Sequence, residues 1–581
     1  MSKAYSEDQL VQKTIADYFH EHLEWDSIYA YHDETLGREK GLLGRASHRE
    51  VVLVQYLRLA LEKLNPGLPK EVYELAIEQV VGASASKTML QHNMEKHHLV
   101  CSGLTVEVKT SAGELEPYRL RLFDFDDATH NHFLVVRELW VQGQIYHRRA
   151  DLVGFVNGIP LLFMECKAAH KDLRLAYNAN LKDYKDTIPE LLHHNAIIFL
   201  SNGLEGKAGT ITSRFEHFQE WKRLGESDPG RVDMETMLLG MCTKKGFLDL
   251  VENFILFDTS GTRTLKLLAR NHQFLGVNRA LAAVQERETR LGKLGVFWHT
   301  QGSGKSYLMV FLAQKILRKC GGNFTFLILT DRQELDTQIY KTFHGVGAVM
   351  SKKVQASSGD HLRQLLEREN HRYVFSLIHK FNDENPEAYS TRNDIIVFSD
   401  EAHRSQYGKL ARNMRKALPA ASFIGFTGTP LMGSPEDELT REVFGDYVST
   451  YDFQRAVEDK ATVPLFYESR GEKLGIAKPD LNEKIAEKLN ELELDPDQDA
   501  KLQRALAREY PIMTAPKRLQ AIAKDFVDHY TANWKTGKAM LVCIDKLTCV
   551  RISDLIQDEW DRKIREQEAK VSNARDEQEF L

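Results

Sequence analysis

The sequence predicts an α/β protein built on two unlike sheets. Strand-like segments cluster between residues 104 and 203, where they alternate with helical patterns. From about residue 260 to 450 the rhythm becomes strand, loop, helix. The strand candidates in this second region are continuous apolar runs rather than alternating ones, which suits a parallel sheet covered on both faces.

The elements run in order along the chain. Residues 1–100 read mostly as helix, with apolar positions at helical spacing in Val51–Leu64 and a break at Pro66-Gly67. Segments 104–109, 132–141, 150–156 and 159–167 read as strands, Leu173–Leu192 as helix, and 196–203 as a buried strand, closing a mixed unit near residue 255. The next strand candidates are 294–300, 324–331, 373–381, 394–402 and 422–429. Residues 468–510, rich in Glu, Lys and Leu, suggest a helical connector. The run Ala539–Ile544 then predicts a strand opening another α/β unit, and Glu559–Leu581 a charged surface helix. No internal repeat is evident.

Composition narrows the class. A chain of 581 residues suggests about three or four domains, and 42% hydrophobic residues suffice for sizeable cores. A net charge of -6 excludes a protein coated in positive charge, so any nucleic-acid contact would rest on local basic stripes. Six cysteines without a CxxC pair argue against a zinc site or disulfide framework. The polar start MSKAYSEDQL is no signal peptide. No stretch approaches the ~18 apolar residues of a membrane span, so a cytoplasmic soluble protein is expected.

Two phosphate chemistries are written along the chain. A phosphate-binding loop needs glycines because backbone N–H groups must wrap the phosphate oxygens at a helix N-terminus. Thr300, Gly302, Ser303, Gly304, Lys305 and Ser306 supply such a loop after the apolar run 294–298. Lys305 would reach the β- and γ-phosphates of ATP and Ser306 would hold Mg2+. The strict pattern has a glycine where His299 stands. Asp400-Glu401 follow the run Ile395–Phe398, at the strand end where doubly wound sheets bind ligands. Asp400 would help hold Mg2+ and Glu401 would polarise the attacking water. Thr427, Gly428 and Thr429 end the next strand and read as the element coupling nucleotide state to DNA grip. The bland alternative, a Gly-rich turn and two surface carboxylates, explains the pieces but not their combination.

The other chemistry precedes it. Asp151, Glu165 and Lys167 are the residue types of metal-dependent DNA hydrolysis: carboxylates hold Mg2+, which activates water, and a lysine adds positive charge for the transition state. Asn157-Gly158 between them is a strong hairpin signal. Glu165 and Lys167 share a strand face, because side chains alternate with period two. A plain two-residue turn would pair Asp151 with Met164 and turn it to the other face, so the site requires a bulge or an odd loop. Arg148 and Arg149 fit either DNA-backbone contacts or strand-end salt bridges. Glu78 reads as an exposed helix residue, Trp298 and Phe274 as core aromatics, and the scattered histidines form no convincing metal set.

The strings Trp298–Ser306, Leu329–Gln338, Ser399–Gly408 and Gly425–Leu431 together resemble the R subunit of type I restriction enzymes, a superfamily-two motor family. The Asp151…Glu165-Cys166-Lys167 pattern is similar to PD-(D/E)xK nucleases. This resemblance implies an N-terminal PD-(D/E)xK-type endonuclease domain over 1–255, a first RecA-like lobe over 256–460, and a connector with an incomplete second RecA-like lobe over 461–581. It implies Gln273 as the adenine-reading glutamine. It places the family's QxxxY motif at Asn180 and Tyr184, with Asn where the family has Gln. No QxxGRxxR-like segment is found toward the end of the chain, so an N-terminal fragment is expected. The implied activity is ATP-dependent translocation of double-stranded DNA with Mg2+-dependent cleavage away from the recognition site, beside methyltransferase and specificity subunits. A type III restriction subunit is disfavoured because its nuclease comes after the motor. A non-catalytic DNA-docking piece is the rival from another class.

Overall fold

Phe133–Gln142 and His147–Val156 form a pair of ten-residue antiparallel strands from which the N-terminal sheet grows outward. The computed structural model describes residues 8–37, 41–109, 113–368, 370–381, 387–400, 402, 407–429, 433, 435–468, 510–533 and 537–580. Its strands are β1 (Asp26–Tyr29), β2 (Leu104–Lys109), β3 (Leu115–Leu120), β4 (Phe133–Gln142), β5 (His147–Val156), β6 (Ile159–Cys166), β7 (Ile197–Ser201), β8 (Gly206–Gly209), β9 (Ile255–Asp258), β10 (Leu265–Leu268), β11 (Lys293–His299), β12 (Thr325–Thr330), β13 (Tyr373–Leu377), β14 (Ile395–Asp400), β15 (Ser422–Thr427) and β16 (Tyr447–Tyr451).

The first sheet runs β1-β4-β5-β6-β7-β8 and is mixed: β1 lies parallel to β4 and β6 to β7, while the other pairs are antiparallel. The second runs β13-β12-β14-β15-β11-β16 with every pairing parallel, as the continuous apolar runs predict. Both sheets belong to one compact unit, Met1–Val463. One apolar core serves them together. Phe19 and Trp25 beneath the first sheet, Phe247 and Phe254 between the two, and Phe311 and Phe326 of the second region all fall in a single buried cluster. The outer face of each sheet has its own smaller core.

Charged side chains reinforce this shared core. Helix Lys305–Lys319 ends against helix Lys244–Asn253. There Lys315 donates to both Asp249 carboxylate oxygens at 2.5 and 2.6 Å, Lys319 pairs with Glu252 at 2.9 Å and Asp126 at 3.0 Å, and Arg318 donates to the Glu252 carbonyl. Lys266 of β10 is 1% exposed. Its ammonium donates to Asn93 Oδ1 at 2.8 Å and to the Asn195 carbonyl at 2.5 Å, tying β10 to the first sheet's helical cover.

Several elements differ from the sequence expectation. β1, β3 and β16 have no counterpart in it; each is short and mixes polar with apolar residues, so periodicity alone does not reveal them. Residues 104–109 do not join the main sheet but pair with β3 as a separate ribbon. The predicted helix Leu173–Leu192 is broken into α, π, α and 3-10 turns. Ala539–Ile544 forms no strand: described residues 537–543 are irregular, because an apolar run needs a partner strand and none is present among the described residues nearby. The second unit, Pro464–Leu581, consists among its described residues of helices, with Leu519, Ala523 and Ile552 packed between Pro516–Asn533 and Lys546–Phe580. Most of the expected connector, 469–509, lies outside the described residues. Among the described residues no helix is long and apolar enough to cross a membrane.

Burial pushes the Lys266 ammonium down to about 7. Between that value and its ordinary 10.5 the unfolded chain binds the extra proton, so native stability rises with pH across this window and the gain is lost as pH falls through about 7. Lys266→Met is expected to flatten that pH dependence relative to wild type, as measured by urea unfolding at pH 7 to 10.

Candidate catalytic sites

The β5–β6 hairpin turns at Asn157 and Gly158, whose φ values of 51° and 76° are both in the left-handed region a type I′ turn requires. Next to the turn Val156 pairs with Ile159 and Phe155 with Pro160; after a register shift Gly154 pairs with Leu162 and Leu152 with Met164. Leu161 is the extra residue, so the ladder contains the bulge the site requires. Continued by one residue beyond Leu152 and Met164, this register brings Asp151 level with Glu165. Gly154 makes room for this irregularity, since a Cβ there would sit 2.9 Å from Leu162 and 3.1 Å from the Trp25 ring.

The three side chains are drawn together at the strand ends. Glu165 is fully buried, Asp151 is 9% exposed and Lys167 8%. Lys167 Nζ donates to Glu165 Oε1 at 2.8 Å and to the Cys166 carbonyl at 2.9 Å. The Cys166 N–H donates to Asp151 Oδ2 at 2.8 Å, tying the β5 carboxylate to β6. The Lys167 N–H bonds the Ser201 carbonyl, extending the sheet past the end of β6.

The structure brings Asn180 and Tyr184 to this cluster. Burial pushes the Tyr184 phenol up, with smaller contributions from the Glu165 and Asp151 carboxylates, while a hydrogen bond with Asn180 opposes them. Tyr184 OH donates to the Arg149 carbonyl at 3.0 Å. Arg148 and Arg149 both make salt bridges, to Asp183 and to Glu138. Glu78 is exposed. Sequence reasoning misses Glu138, although a charged pair, Arg137-Glu138, inside the apolar run of β4 is a visible signal.

The second site lies between β11 and helix Lys305–Lys319. Gly302 and Gly304 adopt φ of 80° and 87°, and Gly304 caps the helix. A Cβ on Gly304 would meet Gln273 Nε2 at 2.8 Å. Gln273 donates to the Gly304 carbonyl at 3.1 Å and accepts the Arg270 N–H at 2.8 Å. Ser303 N–H donates to the Thr300 carbonyl, Thr300 N–H to the Tyr451 carbonyl, and Lys305 Nζ to the His299 carbonyl at 3.1 Å. Ser306 comes next as the helix's second residue, half-buried. Asp400 ends β14 in buried surroundings; Glu401 lies outside the described residues. Thr427 accepts the Thr429 N–H at 3.2 Å, and Gly428 presses on the loop so closely that a Cβ would lie 3.3 Å from Lys305 Nζ.

His299, the departure from the strict pattern, is fully buried and bonds Ser449 Oγ at 2.8 Å. Another histidine, not singled out in the sequence, supports the loop. His272 stacks on Tyr451 with centroids 3.7 Å apart, and its Nε2 meets the Ser303 carbonyl at 3.1 Å. Burial pushes this imidazole down to about 3, so it is neutral and donates from Nε2.

Residues 4–217 match the family described as type I restriction enzyme R protein N terminus. Over these residues the chain is similar to the N-terminal part of type I restriction R proteins. Residues 272–498 match the SWI2/SNF2 ATPase family. The chain is 36% identical over 580 residues to the type I restriction enzyme HindI endonuclease subunit of Haemophilus influenzae, covering 93% of this chain and 53% of that one. It is 31% identical over 544 residues to a chain named as the putative type I restriction enzyme MjaIXP endonuclease subunit of Methanocaldococcus jannaschii, covering 87% and 51%. It thus spans about half the length of the curated relatives it matches. The solved UvsW helicase of bacteriophage T4 is 16% identical, over 33% of this chain and 63% of that one, with a TM-score of 0.25.

Lys167→Met would leave the fully buried Glu165 without its ammonium, and is expected to cost about 3 kcal/mol; adding Glu165→Gln should recover most of that, which a double-mutant cycle by urea unfolding measures. His272→Phe keeps a ring on Tyr451 but removes the donor to Ser303. It is expected to weaken ATP binding by about threefold to tenfold, with His272→Gln restoring affinity, as read by fluorescent-nucleotide titration.

Proposed function

We propose that this chain is the endonuclease and ATP-dependent DNA translocase part of a type I restriction system, working beside methyltransferase and specificity subunits in the cytoplasm and cutting unmodified foreign DNA away from the recognition site. The observation that carries the proposal is the meeting of Asp151, Glu165 and Lys167 at the ends of β5 and β6, Asp151 taking the Cys166 N–H and Lys167 seated on Glu165, in the same compact unit as the glycine-rich loop. We assign 1–255 to a PD-(D/E)xK-type nuclease domain, 256–460 to the first RecA-like lobe, and 461–581 to the connector and an incomplete second lobe.

The donor set suits Mg2+, a hard cation that takes oxygen ligands. Asp151 and Glu165 would hold it at the nuclease site, where it supplies an activated water and offsets phosphate charge. Lys167, seated on Glu165, keeps a positive charge beside the reacting phosphate. Asn180 and Tyr184 fix the Arg149 end of β5 and so the aim of Asp151. At the motor site the open glycine cradle suits ATP: nothing lies within 4 Å of a Cβ placed on Gly302. Thr300 through Ser306 would wrap the phosphates, with Lys305 leaving the His299 carbonyl for them. Gln273 would read the adenine, Ser306 and Asp400 would hold Mg2+, and Glu401 would orient the attacking water. Thr427, Gly428 and Thr429, in contact with the loop, would sense occupancy and pass it to the DNA grip.

Asp151→Asn retains an oxygen for the Cys166 N–H, so it should fold and yet abolish metal-dependent DNA cleavage. Lys305→Ala should abolish DNA-stimulated ATP hydrolysis and leave the melting temperature near wild type. Cleavage that survives Asp151→Asn would refute the nuclease assignment. Failure to associate with methyltransferase and specificity subunits in a pull-down would refute the type I assignment.

A further inference from the structure

We propose that Arg149 is a DNA-backbone contact at the edge of the nuclease site and that Glu138 is the positioning residue that aims it. The inference rests on the nuclease reading above. Arg149 lies two residues before Asp151 on β5, and Tyr184, which stands by both acids of the cluster, donates to its carbonyl. Arg148 is bound by Asp183, whereas Arg149 is bound by Glu138.

Glu138 sits on β4 between the rungs Arg137↔Leu152 and Leu139↔Ala150, level with Asp151. It is 3% exposed and has φ of 58°, a region sparsely used by residues other than glycine. Its carboxylate takes Arg149 Nε at 2.6 Å. A guanidinium carries five N–H donors in a rigid fork, and the bond from Nε turns that fork without exhausting it. The Arg149 side chain is 42% exposed, whereas that of Glu138 is 4%. A buried anion thus holds a cation that remains open to solvent.

The neighbours fit a sugar–phosphate strand. Arg149 Cζ lies 5.2 Å from the centre of the Tyr31 ring and 5.8 Å from that of Trp140. Tyr31 is half-exposed and stacks on Tyr29, over which Arg137 lies at 3.8 Å. Arg137 is buried and supports the rings from behind, while the exposed Arg149 beside Tyr31 and Trp140 suits a nucleic-acid strand, the cation meeting a phosphate and the rings meeting sugars or bases. Tyr184, bonded to the Arg149 carbonyl, fixes the backbone behind the fork. Arg149 would therefore bind a phosphate next to the scissile one and set its distance from Asp151.

The test uses the full chain and a short labelled DNA duplex, with affinity read by anisotropy in Ca2+ over a salt series and cleavage read in Mg2+. Arg149→Ala is expected to weaken binding about threefold to tenfold and to lower the slope of log affinity against log salt by about 1. Glu138→Gln leaves the arginine charge in place, so the salt slope should hold while the cleavage rate falls. Unchanged affinity and slope in Arg149→Ala with a wild-type melting curve would overturn the proposal and leave the nuclease reading intact. Should Arg149→Ala melt early, Arg149→Lys decides: a preserved slope with slower cleavage supports the fork, and wild-type cleavage refutes it. Absence of cleavage by the wild-type chain, with the slope change still present, would remove the nuclease reading and leave Arg149 as a DNA contact.

Discussion

One extra residue decides which side of the sheet Asp151 faces. Side chains on a strand alternate, so a hairpin closed by Asn157-Gly158 without insertion would send Asp151 and Glu165 to opposite faces. Leu161 shifts the ladder by one, and Gly154 makes the space that lets it do so. Everything at the cluster depends on that shift. The Cys166 N–H reaches the Asp151 carboxylate, Lys167 folds back on Glu165, and Tyr184 comes under the influence of both acids.

A second constraint is the burial of charge. Glu165, Glu138, Lys315 and Lys266 are taken out of water, and each is held by a partner of opposite charge or by carbonyl and amide oxygens. Such groups add little net stability against well-packed apolar residues, yet removing one partner is costly. They specify where elements meet. The histidines at the loop work the other way: burial keeps His272 and His299 neutral, so they support Ser303 and Ser449 as plain hydrogen-bonding rings.

Much of this architecture is legible in the sequence. The parallel strands announce themselves as apolar runs bounded by loops, and the need for a bulge comes from counting residues between Asp151 and Glu165. The glycine loop is visible despite His299, because the glycines and Lys305 that carry the pattern lie beyond it. The features that stay hidden depend on pairing. β1 and β16 are short edge strands whose sequences gain meaning only beside β4 and β11. Ala539–Ile544 shows the converse, since β-branched and apolar residues do not make a strand without a partner. Glu138 and His272 escape notice because their roles are set by neighbours on other elements: Glu138 matters through Arg149, and His272 through Ser303.

The helix Lys305–Lys319 has the glycine loop at its first turn and Lys315, Arg318 and Lys319 fastened to Asp249, Glu252 and Asn253 at its last. Fifteen residues span about 22 Å. A rod gripped at its far end cannot rock without shearing several close polar bonds together. The glycine loop is thereby anchored, through one stiff strut, to the helix whose Phe247 and Leu250 share a buried core with Trp25 and Phe133 of the first sheet.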